Sequence, residues 1–275
     1  MNDLPEKDWN KEWESLYSDS GTDIDIEEWN NKIRDWLVTV GQALGPGYSV
    51  SEGKYTILLS NFGDSRTNQI NDKIDHTTKC ISSNLPVVPN SFETYGKIPI
   101  VGISDFVEYR NYVHHYYSED SYVPSNGVTI ERGLEHIALT DCNFQLMESS
   151  LVYEYAFLLF KSFSLPLWMI MGFAQYYECI VQGTSCIEPN PEIDSNIEEL
   201  LKNDSDGFLN GHSFYVDANK AEASRNLGFL IINSLLKKGI NMNAFLTKLE
   251  NEENYSDAFR DAFGMSHEQM VNAYA

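Results

Sequence analysis

The sequence predicts an α+β protein, with strands gathered in its first half and helices dominating the second. Short apolar runs at residues 55–60, 98–103, 128–132 and 136–140 alternate with helical patterns, which is the signature of a small mixed sheet with helices. From Phe144 onward the apolar residues recur at three- and four-residue steps with little interruption. The chain has 275 residues, 42% hydrophobic and 13% aromatic, enough to bury one substantial core or a core with a small appended subdomain.

The elements divide into three segments: an acidic, tryptophan-rich helical segment at 1–45, a mixed α/β lobe at 46–142, and a helical lobe at 143–275. In the first, Ile26, Trp29, Ile33, Trp36, Leu37 and Val40 share one helical face, with Asp25 as N-cap and Gly45-Pro46-Gly47 as the stop. Trp9 and Trp13 stand one turn apart on a shorter helix, and the tryptophans are expected to dock on the main body. In the second, helices at 67–82 and after the cap Asp105 separate the strands, and the last two strands are read as a hairpin across Gly133. In the third, helices are predicted at 144–163 (buried on most faces), 165–181, 218–238, 242–250 and 256–263. The stretch from Pro189 to about Gly211, with its prolines and acids, reads as a loop.

Charge narrows the function classes. Forty-one acids against 19 Lys and Arg give a net charge of −22, which excludes a nucleic-acid interface built on phosphate contacts. Such a field either keeps the chain dissolved or speeds encounter with a basic protein partner. The opening residues lack a basic stretch followed by an apolar one, and the longest apolar run, 156–160, is far shorter than the roughly 18 residues of a membrane span. A cytoplasmic protein without membrane contact is therefore expected. Cys80, Cys142, Cys179 and Cys186 form no CxxC pair and read as reduced, partly buried thiols.

Residues 151–159, LVYEYAFLL, followed by LPLWMIMGFAQYYE at 165–178, resemble the zinc helix and the following helix of the peptidase MA-like families, the gluzincins. The IPIVGISDFVEYRNY segment at 98–112 and the AFRDAFGMS segment at 258–266 are similar to further parts of that family, so the resemblance covers most of the chain from about Tyr55. It implies a gluzincin-like fold, with a small N-terminal sheet and a helical C-terminal lobe. It also implies where the family's metal would sit. The two histidine ligand positions fall on Tyr153 and Phe157, the glutamate ligand on Met171, and only the general base survives, as Glu154.

Zinc takes imidazole nitrogens and carboxylate oxygens at about 2.0–2.2 Å. Phe157 has no lone pair, Met171 offers a soft thioether that zinc seldom takes, and the Tyr153 phenol would have to lose a proton first. Without a metal, water stays near its bulk pKa of about 15.7 and Glu154 has no activated nucleophile. His76, His114, His115, His136, His212 and His267 supply no HxxxH pair, and the chain has no GxSxG turn, P-loop or GxGxxG. The expectation is a metal-free, cofactor-free, non-enzymatic pseudo-peptidase that binds a partner, in one version an immunity- or inhibitor-type protein against a basic toxin. Glu192, Asp194, Glu198, Glu199, Asp204 and Asp206 are the candidate binding carboxylates. Glu154 is either an acid/base kept in a repurposed cleft or a buried carboxyl held by a hydroxyl or backbone donor. Two other classes remain open: an active hydrolase with atypical ligands, and a small-molecule module using the aromatic-rich former cleft.

Overall fold

The sheet read from four apolar runs has a fifth member. In the computed structural model the strands are β1 (Ser49–Glu52), β2 (Thr56–Ser60), β3 (Ile98–Ile103), β4 (Gly127–Ile130) and β5 (His136–Thr140), in the spatial order β1-β2-β3-β5-β4. β2, β3 and β5 are parallel, while β1 and β4 run antiparallel at the two edges. The expected 128–132/136–140 hairpin is the β4–β5 pair, with Gly133 at a φ of +74° in its turn. β1 escaped the sequence reading because its pattern, Ser-Val-Ser-Glu, buries too little to stand out beside the wholly buried β2.

The structure describes residues 4–5, 7–16, 25–88, 96–117, 125–141, 143–184, 191–251 and 254–273. Among these it contains α1 (Trp9–Glu14), α2 (Ile26–Leu44), α3 (Asp64–Asn84), α4 (Phe106–Tyr116), α5 (Phe144–Lys161), α6 (Leu167–Gln182), α7 (Pro191–Leu209), α8 (Ala218–Lys237), α9 (Met242–Glu250), α10 (Tyr255–Phe263) and α11 (His267–Asn272). The chain forms two compact units, Met1–Thr78 with Pro89–Tyr155, and Lys79–Val88 with Ala156–Ala275; two of the three divisions fall inside α3 and α5.

The first unit holds the sheet. One sheet face, carrying Ile57, Leu59, Val101, Ile103, Ile130 and Ala138, packs with buried side chains of α1, α2 and α4. Asp25 caps α2 by accepting a hydrogen bond from Glu28 N at 3.0 Å, and Asp105 caps α4 through Glu108 N at 2.8 Å. The tryptophans do dock: Trp9 meets Trp29 and Trp36 edge to face, with ring centroids 5.5 and 5.8 Å apart. α2 ends where Gly45 takes a φ of +121°.

The second unit is helical. α6 and α8 cross so closely that a Cβ on Gly172 would lie 2.6 Å from the Gly228 carbonyl oxygen, and one on Gly228 would lie 2.6 Å from that of Trp168. Phe160 stacks on Phe173, with centroids 4.2 Å apart and planes 8° from parallel, and Tyr177 continues the stack.

The structure corrects three expectations. Residues 191–209 are the helix α7, in which Ile197, Leu200, Leu201 and Phe208 are buried. Pro191 occupies its first position, where a missing N–H costs nothing, so the proline that looked like a loop marker is a helix start. A further helix, α11, follows Gly264 and opens with a capping box between Ser266 and Gln269. Cys179 is disulfide-bonded, against the reading of reduced thiols; the wide cysteine spacing carried no pairing signal because pairing is set by where chain segments meet. Cys80 is free; Cys142, Cys186, Glu188 and Pro189 lie outside the described residues. Among the described residues no helix is long and apolar enough to cross a membrane.

Candidate functional site

Helix α5 carries Tyr153, Glu154 and Phe157, and α6 carries Met171. α5 is apolar around most of its circumference: Leu151, Val152, Tyr155, Ala156, Leu159 and Phe160 are all buried. In the first unit, Tyr155 is anchored by its hydroxyl, 2.6 Å from Thr78 Oγ1, and burial pushes the phenol well above its ordinary pKa. Tyr153 and Glu154 are half-buried there. In the second unit, Phe157 is buried and Met171 half-buried.

The partner of Glu154 is set by the register of β4. Thr140 N donates to Asn126 O at 2.9 Å, and in an antiparallel ladder that bond fixes the alternation. Val128 and Ile130 therefore turn their main-chain groups toward β5, while Gly127 and Thr129 turn theirs to the open edge. Glu154 Oε2 accepts from both Thr129 N, at 3.0 Å, and Thr129 Oγ1, at 2.7 Å. Thr129 is itself buried. Of the two roles weighed for Glu154, a carboxyl held by a hydroxyl and a backbone donor is the one this geometry matches. Thr129 had no signal in the sequence as its partner, because 25 residues and a hairpin separate them.

The acidic candidates lie on a helix instead of a loop. Asp194, Glu198, Glu199 and Asp206 are exposed along α7, whose Ile197, Leu200 and Leu201 are buried. Glu192 falls in the first turn of α7. Asp204 stands apart: it sits at a kink in the helix, with φ −152°, and forms an ion pair with Lys220 at 3.0 Å.

The most perturbed histidine was not singled out as a site residue. His136 of β5 is wholly buried between Trp36 of α2 and Tyr112 and Tyr116 of α4. Its Nδ1 lies 2.7 Å from the Leu134 carbonyl, which only accepts, so that nitrogen carries the hydrogen. Nε2, 2.7 Å from Tyr112 Oη, then accepts from the hydroxyl. Burial drives its pKa from 6.5 down to about 4, so the ring is neutral at pH 7. Among the described residues no three His, Cys, Asp or Glu side chains come together as a metal ligand set.

Comparison of the chain with protein-family models gives no match, and comparison with curated proteins gives none either.

Proposed function

We propose that this chain is a degenerate gluzincin-like scaffold that works by binding a protein partner and does not hydrolyse peptides. The observation that carries the reading is the engagement of Glu154. A general base must point a lone pair at an activated water, and with Oε2 of Glu154 taking two hydrogens from Thr129 that role would fall to Oε1 alone. The donors missing at Tyr153, Phe157 and Met171 support the same reading, since none of the three supplies an imidazole or carboxylate.

The partner we infer is a basic protein. Asp194, Glu198, Glu199 and Asp206 are exposed on one helix of a chain whose net charge is −22, well beyond the magnitude of roughly 2–8 that solubility asks of a small domain. An immunity- or inhibitor-type protein acting in the cytoplasm is the specific form of this proposal.

Elemental analysis of chain purified without chelator, with a peptide-library assay in added Zn²⁺, tests the non-hydrolytic part. The expected result is substoichiometric zinc and no cleavage. About one tightly held zinc per chain, with turnover that Glu154→Gln abolishes, would overturn it.

A further inference from the structure

We propose that β4 is a guarded edge: three side chains occupy Gly127 O, both main-chain groups of Thr129 and Glu131 N, and keep a further strand, such as β4 of a second copy, from pairing there. The inference stands whether or not the chain descends from a peptidase.

An edge strand presents every second residue's N–H and C=O to whatever approaches. On β4 and the residue after it, these are Gly127, Thr129 and Glu131. Glu154 accepts from Thr129 N at 3.0 Å. The Tyr117 hydroxyl accepts from Glu131 N at 2.9 Å and donates to Thr129 O at 3.4 Å. The Ser125 hydroxyl donates to Gly127 O. Two of these contacts reproduce strand pairing. In a parallel ladder one residue of the added strand donates to the carbonyl before its neighbour and accepts from the amide after it. The Tyr117 oxygen makes that same pair of bonds around Ile130.

Tyr117 is held in place. The Arg132 guanidinium lies over its ring, 5.3 Å from the centroid, and donates through Nη1 to Tyr116 O at 2.6 Å. Glu154 is carried on α5 and Tyr117 caps the end of α4, so the guard draws on elements outside the hairpin. The opposite edge, β1, is managed differently: its Glu52 forms ion pairs with Arg34 and Lys97, placing charge on a short, half-exposed strand.

Amide hydrogen exchange resolved by residue tests the guard. An open edge protects Val128 and Ile130 and leaves Thr129 and Glu131 fast; the guarded edge is expected to protect all four. Tyr117→Phe removes one oxygen, and should speed exchange at Glu131 about tenfold without changing Val128 or Ile130. Sedimentation velocity then compares the native chain with Tyr117→Phe/Glu154→Ala in about 1 M salt, where the Debye length of about 3 Å removes most of the repulsion between acidic copies. The native chain is expected to stay monomeric and the variant to associate as its concentration rises. If the double variant does not fold, Tyr117→Phe alone is expected to associate more weakly under the same conditions. Fast exchange at Thr129 and Glu131 in the native chain would overturn the proposal, as would a folded variant with released amides that stays monomeric.

Discussion

Acid is expected to weaken the first unit through His136. The neutral ring is satisfied on both nitrogens, by Leu134 O and the Tyr112 hydroxyl, and the side chains packed around it are Trp36, Tyr112 and Tyr116, none of which carries a charge at neutral pH. A proton on Nε2 would turn it into a donor aimed at Tyr112, forcing that hydroxyl to reverse, with no carboxylate against the ring among the described residues. The depressed value means that the folded state resists the proton while the unfolded chain accepts it. The contribution is therefore complete above pH 6.5 and is lost as pH falls toward about 4. The gap between 6.5 and about 4, at about 1.36 kcal/mol per pH unit, comes to about 3 kcal/mol. That is a large share of a typical stability of about 5–15 kcal/mol. Tryptophan fluorescence suits the measurement, because Trp9, Trp13, Trp29 and Trp36 lie in the first unit and only Trp168 in the second. Urea unfolding from pH 8 to 4 should be followed for the native chain and for His136→Gln, which keeps hydrogen-bonding groups but does not titrate. The stability difference should be flat above pH 7 and then shrink by about 1.4 kcal/mol per unit below pH 6.5. A difference that stays constant between pH 7 and 5 would refute a buried neutral His136.

Other consequences can be measured directly. Gly172→Ala places a methyl 2.6 Å from the Gly228 carbonyl oxygen, and should cost about 1–3 kcal/mol by forcing α6 and α8 apart, read as a lower Tm by calorimetry. Phe160→Ala removes the centre of the Phe173–Tyr177 stack and should cost about 3–5 kcal/mol in the second unit, measured by far-ultraviolet circular dichroism during unfolding. Cys179 should resist alkylation until a reductant is added, while Cys80 reacts once the chain is unfolded; mass mapping of the labelled peptides checks both. Glu198→Gln with Glu199→Gln should slow association with a captured basic partner more than it speeds dissociation, and the native on-rate should fall steeply with salt. An on-rate indifferent to salt would leave the acidic face a solubility feature.

Local signals were enough for most elements. The Asp25 and Asp105 caps, the Gly45 stop and the 98–103 strand could be read directly, because capping, positive φ and short apolar runs depend on neighbouring residues. The same local reading misjudged residues 191–209. There the buried Ile197, Leu200, Leu201 and Phe208 do follow a helical spacing, but prolines and acids outweighed it. The candidate site was legible as residue types alone: Glu154 stood out without its partner.

What the sequence by itself determined is chemical inventory and local conformation: an excess of 22 negative charges, no imidazole or carboxylate at positions 153, 157 and 171, and the α+β order of elements. The tertiary structure decided everything that depends on which distant residues meet. It placed Glu154 on Thr129, turned Tyr117 onto the edge of β4, buried His136 among Trp36, Tyr112 and Tyr116, and brought Gly172 against Gly228. The physical reason is range. A cap or turn is settled within a few residues, but the cost of burying a polar group depends on donors and acceptors tens of residues away, and those are fixed only when the sheet register and helix crossings are.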